Sequence, residues 1–149
     1  MHQSIINFTN IQNSIKENQE KTNNKNNIKI IAVSKTFEIS HINPLIDFGH
    51  TDFGENKVQE AIEKWSDIKH KNQNLSLHLV GKLQSNKTKL ALKIFDYIHS
   101  LDSEKLANKI SEEQKKIDKK PKLFIQVNIG NEDQKSGVSP NKLKSFYKY

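Results

Sequence analysis

The stretch Lys29-Ile30-Ile31-Ala32-Val33-Ser34-Lys35 decides the fold assignment. Four consecutive apolar residues, three of them β-branched, predict a short strand buried on both faces, as in a parallel sheet. The run ends in a hydroxyl and an amine, Ser34 and Lys35, at the point where the strand leaves the sheet. Because ligand sites of α/β folds lie at the carboxyl ends of the strands, Lys35 is a candidate for chemistry.

Outward from this stretch, strand and helix patterns alternate five times, after an N-terminal helix predicted over residues 4–20. The predicted strands cover residues 29–34, 51–54, 75–81, 97–100 and 123–129. Apolar residues at helical spacing predict the helices between them, and Ser139-Pro140 predicts the start of a last one. This alternation predicts an α/β fold with a parallel sheet and right-handed crossovers.

The predicted helix boundaries depend on capping residues. Gly49 should stop the second helix, because glycine readily adopts the conformation that ends helices. Side-chain caps are predicted at four helix starts: Ser40, Asn56 (in a capping box with Gln59), Ser85, and Asp102 or Ser103.

Composition excludes several classes of protein. The 149-residue chain has no cysteine, so it has no disulfide framework, thiolate metal site or cysteine nucleophile. No apolar run approaches the ~20 residues of a membrane-spanning helix. The start of the chain lacks the basic and apolar segments of a signal peptide, which predicts a cytoplasmic protein.

The net charge of +7 raises the question of nucleic-acid binding. Every basic residue is a lysine, and no basic motif is interleaved with aromatic residues. The charge therefore indicates a compositional bias of the whole chain more than a binding face, and a nucleic-acid partner is the least favoured alternative.

Polar residues and glycines follow the predicted strands and would meet at one edge of the sheet. The candidate site residues are Lys35, Asn56, Gly81, His99 and Asn128. Each also has a purely structural interpretation, since Asn56 could cap a helix and His99 could serve in a turn. His78, between leucines within a strand, is interpreted as a core histidine with its hydrogen bonds satisfied. Taken alone, Lys35 is one lysine among 24.

Six sequence blocks, in this order, resemble the pyridoxal 5'-phosphate homeostasis proteins, which have a (β/α)8 barrel of the alanine racemase N-terminal type. The resemblance covers about residues 28 to 140. The blocks are Ala32-Val33-Ser34-Lys35-Thr36, Phe53-Gly54-Glu55-Asn56-Lys57-Val58-Gln59-Glu60, His78-Leu79-Val80-Gly81-Lys82-Leu83-Gln84-Ser85-Asn86-Lys87, Ile98-His99-Ser100-Leu101-Asp102-Ser103, Gln126-Val127-Asn128-Ile129 and Lys135-Ser136-Gly137.

The resemblance implies that Lys35 carries pyridoxal 5'-phosphate as an internal aldimine. Asn56, Gly81, His99 and Asn128 would line the cofactor pocket. Partial burial at a strand end would favour the neutral lysine amine that this bond requires. The resemblance further implies a non-catalytic protein that buffers the cofactor or delivers it to pyridoxal-phosphate-dependent apoenzymes.

A complete barrel of this kind needs about 250 residues, whereas this sequence predicts about five of eight βα units in one domain, residues 1–149, with the barrel portion over 28–149. The family's serine-, glycine- and arginine-rich phosphate segment is absent, and the chain has no arginine. Two open sheet edges would then favour self-association, or pairing with a complementing C-terminal barrel fragment. A product of a truncated gene, a remnant that no longer binds cofactor, and a racemase-like enzyme remain alternatives.

Overall fold

Five parallel strands form one sheet, in the same order as they occur in the chain. The computed structural model describes residues 2–130, 132 and 134–149. The strands are β1 (Ala32–Val33), β2 (Asp52–Glu55), β3 (Ser76–Leu79), β4 (Tyr97–Leu101) and β5 (Lys122–Ile125). The predicted parallel α/β fold and its five strands are confirmed.

Six α-helices accompany the strands in the described part of the chain. They are α1 (Gln3–Thr22), α2 (Ile39–Asp47), α3 (Val58–Lys71), α4 (Thr88–Ile94), α5 (Glu104–Gln114) and α6 (Leu143–Lys148). Short 3₁₀ turns, Ser85–Lys87 and Pro140–Lys142, precede α4 and α6. The N-terminal helix predicted over 4–20 is confirmed with slightly wider bounds.

The sequential strand order gives the fold its overall form. When every crossover is right-handed and every strand is added at the same edge, the connecting helices lie on one face of the sheet. A doubly wound sheet would instead reverse its strand order and cover both faces. The predicted architecture, an incomplete (β/α) barrel, is therefore confirmed.

The hydrophobic core lies between the sheet and its helices. Strand residues Phe53, Leu77, Leu79 and Ile98 have no exposed surface and face this layer. Phe53 packs against Trp65 of α3, with the ring centroids 4.9 Å apart. The apolar side of α3 is thus buried as its helical spacing predicts.

The other side of the sheet, here called the open face, carries Val33, His78, Tyr97, His99 and Phe124. In-register pairs set this arrangement, because the alternation of side chains along each strand sends Val33, His78 and Tyr97 to the same side. A barrel would enclose this face as its interior. Val33 is 47% exposed and Phe124 is 50% exposed.

The prediction that the first strand is buried on both faces is wrong. Strand β1 has two residues instead of the six predicted, and it forms an edge of the sheet. The buried strand is its neighbour β2, in which all four residues are buried. The fifth strand is also shorter than predicted, ending at Ile125, with a single bridge between Val127 and Val138 beyond it.

The predicted side-chain caps Ser40, Asn56, Ser85 and Asp102 are wrong, whereas the cap predicted at Ser103 and the helix stop at Gly49 (φ 96°) are confirmed. The cap positions belong to the neighbouring residues Glu38, Lys57, Gln84 and Ser103. Of these only Ser103 caps with its side chain, accepting a hydrogen bond from the backbone N–H of Leu106 (3.3 Å). The register differs by one or two residues because the preceding strands and turns, not the capping side chains, fix where each helix begins.

Truncating the helix-side core should destabilise the protein strongly. We expect Leu77→Ala to lower the free energy of unfolding by about 3 kcal/mol, because it removes buried methyl groups and leaves a cavity. The control Ile129→Ala, at a side chain that is 83% exposed, should change it by less than about 0.5 kcal/mol. Urea denaturation followed by circular dichroism measures both, and equal effects would contradict this location of the core.

Candidate functional site

Lys35 lies in a tight turn that follows β1. The backbone N–H of Ser34 donates to the carbonyl of Gly54 on β2 (2.8 Å), which continues the ladder up to the turn. The N–H of Phe37 then donates to the carbonyl of Ser34 (3.2 Å), so that Lys35 and Thr36 are the two central residues. The Lys35 side chain is exposed, so the partial burial expected of it is wrong.

The turn holds Thr36 in a strained conformation. Its φ of 66° lies in the left-handed region, which a β-branched residue rarely occupies. Turns of type II require such an angle at their third residue, where glycine or asparagine is usual. Backbone strain of this kind costs about 1–3 kcal/mol and persists only where surrounding contacts enforce it, often at functional sites.

A buried carboxylate is hydrogen-bonded to Ser34, the first residue of the turn. Glu55, the last residue of β2, has no exposed surface, and its Oε1 accepts three hydrogen bonds. The donors are Ser34 Oγ (2.8 Å), Lys64 Nζ (2.9 Å) and Trp65 Nε1 (2.9 Å). Lys64 Nζ also donates to the backbone carbonyl of Ser34 (2.9 Å). The sequence analysis missed this network because its members are 9 to 30 residues apart.

Asn56 and Gly81 lie together after β2 and β3. A side chain at Gly81 would bring a Cβ within 2.2 Å of the Asn56 carbonyl oxygen, so only glycine fits this close approach. The structure therefore gives a steric reason for this glycine. Asn56 itself precedes the helix cap Lys57.

Asn128 organises the loop that follows β5. Its side-chain amide donates to the carbonyl of Glu132 (2.9 Å), and its backbone N–H donates to the carbonyl of Val138 (2.9 Å). Together with Val80 and Lys82, Asn128 lines an open cleft of about 530 Å³.

The prediction that His99 lies at a strand end is wrong, because it lies in the middle of β4. On the open face, a hydrogen-bonded chain runs from Lys29 Nζ to Asp52 Oδ1 (2.6 Å), then to His78 Nε2 (3.0 Å) and from His78 Nδ1 to His99 Nε2 (2.9 Å). The ring of Tyr97 stacks on His78 with the centroids 4.2 Å apart. His78 is buried and both of its ring nitrogens are hydrogen-bonded, as predicted, but it lies on the open face and not in the hydrophobic core.

The chemistry of this chain fixes its tautomers. A carboxylate only accepts, so His78 Nε2 must donate to Asp52, and a neutral His78 then accepts at Nδ1 from His99. Burial lowers the pKa of His78 despite the raising effect of its hydrogen bond to Asp52. Burial also lowers the pKa of His99, and the neighbouring His78 adds to the effect. For Asp52, burial acts to raise the pKa, but hydrogen bonds from Lys29, His78 and Thr51 outweigh it and hold the pKa below that of an ordinary aspartate.

The predicted site residues are therefore only partly brought together. Asn56 and Gly81 are in contact, and Lys35 follows the strand that pairs with theirs. Asn128 is hydrogen-bonded within its own loop, and His99 is hydrogen-bonded to His78 on the open face.

A comparison with protein families bears on this geometry. Residues 6–149 match the family model described as alanine racemase, N-terminal domain. The chain belongs to this family. The match begins within α1 and reaches the last residue, so it includes the Lys35 turn, the Glu55 network and the open face.

Curated relatives of this alanine racemase N-terminal domain chain are named pyridoxal phosphate homeostasis protein. The one from Pasteurella multocida is 40% identical over 139 residues, which are 93% of this chain and 58% of the relative. The one from Haemophilus influenzae is 41% identical over 132 residues, which are 88% of this chain and 55% of the relative. The chain thus spans somewhat more than half the length of these relatives.

A solved structure is also similar. PipY of Synechococcus elongatus, determined with pyridoxal phosphate bound, superposes with a TM-score of 0.73 and 34% sequence identity. The alignment covers 89% of this chain and 61% of PipY.

The described part of the chain lacks two other features. No helix among these residues is long and apolar enough to cross a membrane. The same residues contain no cluster of three or more histidine, cysteine or acidic side chains that could hold a metal ion.

The open-face histidines should make stability depend on pH. An unfolded histidine takes up its proton near pH 6.5, whereas the lowered pKa values of His78 and His99 delay uptake in the folded state. The unfolded state then binds more protons. The histidines should therefore leave the free energy of unfolding independent of pH above pH 6.5 and lower it as the pH decreases below that value. The limit is about 1.4 kcal/mol per pH unit for each proton.

Urea denaturation between pH 7.5 and 5 tests this dependence. His99→Gln, which keeps an amide donor toward His78, should reduce the slope, while His50 and His78 maintain the remainder because burial lowers the pKa of both. The matched control His70→Gln, at an exposed histidine, should leave the slope unchanged. A slope identical in wild type and His99→Gln would show that His99 does not contribute.

Proposed function

We propose that this chain binds pyridoxal 5'-phosphate through a Schiff base with the amine of Lys35, and that it serves in cofactor homeostasis without catalysing a reaction of its own. Asn56, Gly81, His99 and Asn128 are proposed to line the binding region. The cysteine-free sequence is compatible with the cytoplasmic location proposed for it.

The observation that carries this proposal is the presentation of Lys35. It occupies the turn at the carboxyl end of an edge strand, beside a threonine in a strained conformation. Strain concentrated next to an exposed amine is typical of a functional site rather than of a solvated loop. The names of the relatives and the cofactor bound to PipY support the choice of cofactor.

The described residues fit the aldehyde end of the cofactor. When bound, pyridoxal 5'-phosphate supplies an aldehyde that condenses with a primary amine and releases water. Lys35 offers that amine. Among the described residues we assign no group to the phosphate, and because the sequence lacks arginine, its donors would be lysines, histidines, neutral polar side chains and backbone N–H groups. We therefore expect covalent capture to be easier to detect than tight reversible binding.

Reductive trapping tests the attachment point. After incubation with pyridoxal 5'-phosphate, borohydride reduction and proteolysis, mass mapping should find Lys35 more heavily modified than any other exposed lysine. Lys35→Ala should lose this modification, and the control Lys16→Ala, at an exposed lysine of α1, should retain it. The proposal fails if Lys35 stays unmodified under conditions that label the Pasteurella multocida relative.

The same sample distinguishes the alternatives. A racemase-like enzyme needs an acid/base group across the cofactor from the lysine, and we assign no such group in the described residues. We expect no exchange of the α-proton of amino acids in deuterated water. Exchange that depends on Lys35 would favour the enzyme, whereas absence of both trapping and exchange would favour a remnant that does not bind the cofactor.

We also propose that the edges of the sheet associate with further polypeptide. Strands β1 and β5 each have an unpaired edge among the described residues, and Leu123 and Phe124 on β5 are 38% and 50% exposed. Exposed parallel edges with apolar side chains favour added strands. The occupant would be a second copy or the C-terminal part of a barrel; apoenzymes that receive the cofactor are proposed as separate, transient partners.

Sedimentation velocity tests this association. The chain alone should form dimers or larger species, and adding the C-terminal segment of the Pasteurella multocida relative that lies beyond the matched region should convert them to a one-to-one complex. A folded, monodisperse monomer that does not bind the added segment would contradict the proposal.

A further inference from the structure

We propose that Glu55 and Lys64 are positioning residues, which hold the strained turn and thereby fix the amine of Lys35. The part of this inference that concerns the cofactor depends on the function proposed above. The part that concerns the turn does not depend on it.

The first step is the place of Lys64 between the two groups. Its Nζ is 2.9 Å from Glu55 Oε1 and 2.9 Å from the carbonyl oxygen of Ser34. That carbonyl also accepts the turn hydrogen bond from Phe37. One ammonium group on α3 therefore links the last residue of β2 to the carbonyl that closes the Lys35 turn.

The second step is that Glu55 and Lys64 both bind the same residue, Ser34. Ser34 is 5% exposed; its hydroxyl donates to Glu55 and its carbonyl accepts from Lys64. With its N–H bonded to Gly54, every polar group of Ser34 is engaged. The residue directly before Lys35 is thus held at three points, which fixes where the turn begins.

The third step is energetic. A buried carboxylate is costly unless it is paired and hydrogen-bonded, and apolar residues of similar volume often fill such a space equally well. Stability alone therefore does not account for a charged pair at this position. The strain of about 1–3 kcal/mol at Thr36 needs enforcing contacts, and the Glu55–Lys64 pair provides them on the inner side of the turn.

The chain offers a matched control on the same helix. Lys69, five residues further along α3, also pairs with a carboxylate, Asp96, and also donates to a backbone carbonyl, that of Ile94 (3.1 Å). The side chains of Lys64 and Lys69 are 15% and 17% exposed. Lys69→Met thus removes an ion pair at a lysine of similar exposure that does not contact the Lys35 turn, and Asp96 retains Lys119 as a second partner (3.2 Å).

Amide hydrogen exchange of Phe37 gives a readout that does not need the cofactor. Lys64→Met should raise the exchange rate of this amide by about tenfold, the effect of losing one hydrogen-bonded contact of about 1.4 kcal/mol. Lys69→Met should leave it within about twofold, and Lys64→Arg, which can donate to both acceptors, should restore protection. Glu55→Gln keeps an acceptor for Ser34 and Trp65, so it serves as the second variant if Lys64→Met does not fold.

Trapping of Lys35 gives the second readout. Its rate of borohydride-dependent modification should fall by about tenfold in Lys64→Met and return in Lys64→Arg, with no change in Lys69→Met. If wild-type Lys35 is not trapped, the proposed function fails and the Phe37 exchange alone decides the positioning role. If wild type is trapped, unchanged trapping in Lys64→Met overturns the positioning role, and so does unchanged exchange.

Discussion

The arrangement of the Lys35 turn depends on the hydrogen bonds that the buried carboxylate of Glu55 accepts. By accepting from Ser34, Lys64 and Trp65 it joins the end of β1, the end of β2 and the first half of α3. A single buried oxygen with three donors determines how the first βα unit meets the second. Because Lys35 follows Ser34 directly, the geometry of the candidate site is a consequence of a contact on the opposite, helix-packed side of the sheet.

The open face differs from the helix side of the sheet, because polar side chains form part of its packing. Instead of an apolar layer it carries the hydrogen-bonded chain from Lys29 through Asp52 and His78 to His99. Such a chain tolerates burial only while its protonation states match, and burial itself lowers the pKa values of both histidines, which favours their neutral forms. The sheet is thus held by an apolar core on one side and by a network sensitive to protons on the other.

Local sequence patterns predicted the element types well, because each helix and strand has the periodicity of its own buried face. They failed at element boundaries and at β1. Four apolar residues in a row indicate a strand, but they do not indicate whether that strand is central or at an edge of the sheet. Val33 is half exposed because β1 pairs on one side only. Three helices begin at a residue other than the predicted cap for a related reason, since the strand and turn before each helix decide where it starts, whereas the cap predicted at Ser103 is present.

For the candidate site, the sequence by itself determined that Lys35 stands at the end of the first strand and that Gly81 and Asn56 follow the next two. Those positions depend only on local pattern and on the rule that parallel strands share a carboxyl edge. Only the tertiary structure decided that Thr36 is strained, that Glu55 and Lys64 hold the turn, and that His99 lies within the sheet beside His78. These are contacts between residues 9 to 30 positions apart, which exist only after the strands have paired and α3 has packed against them.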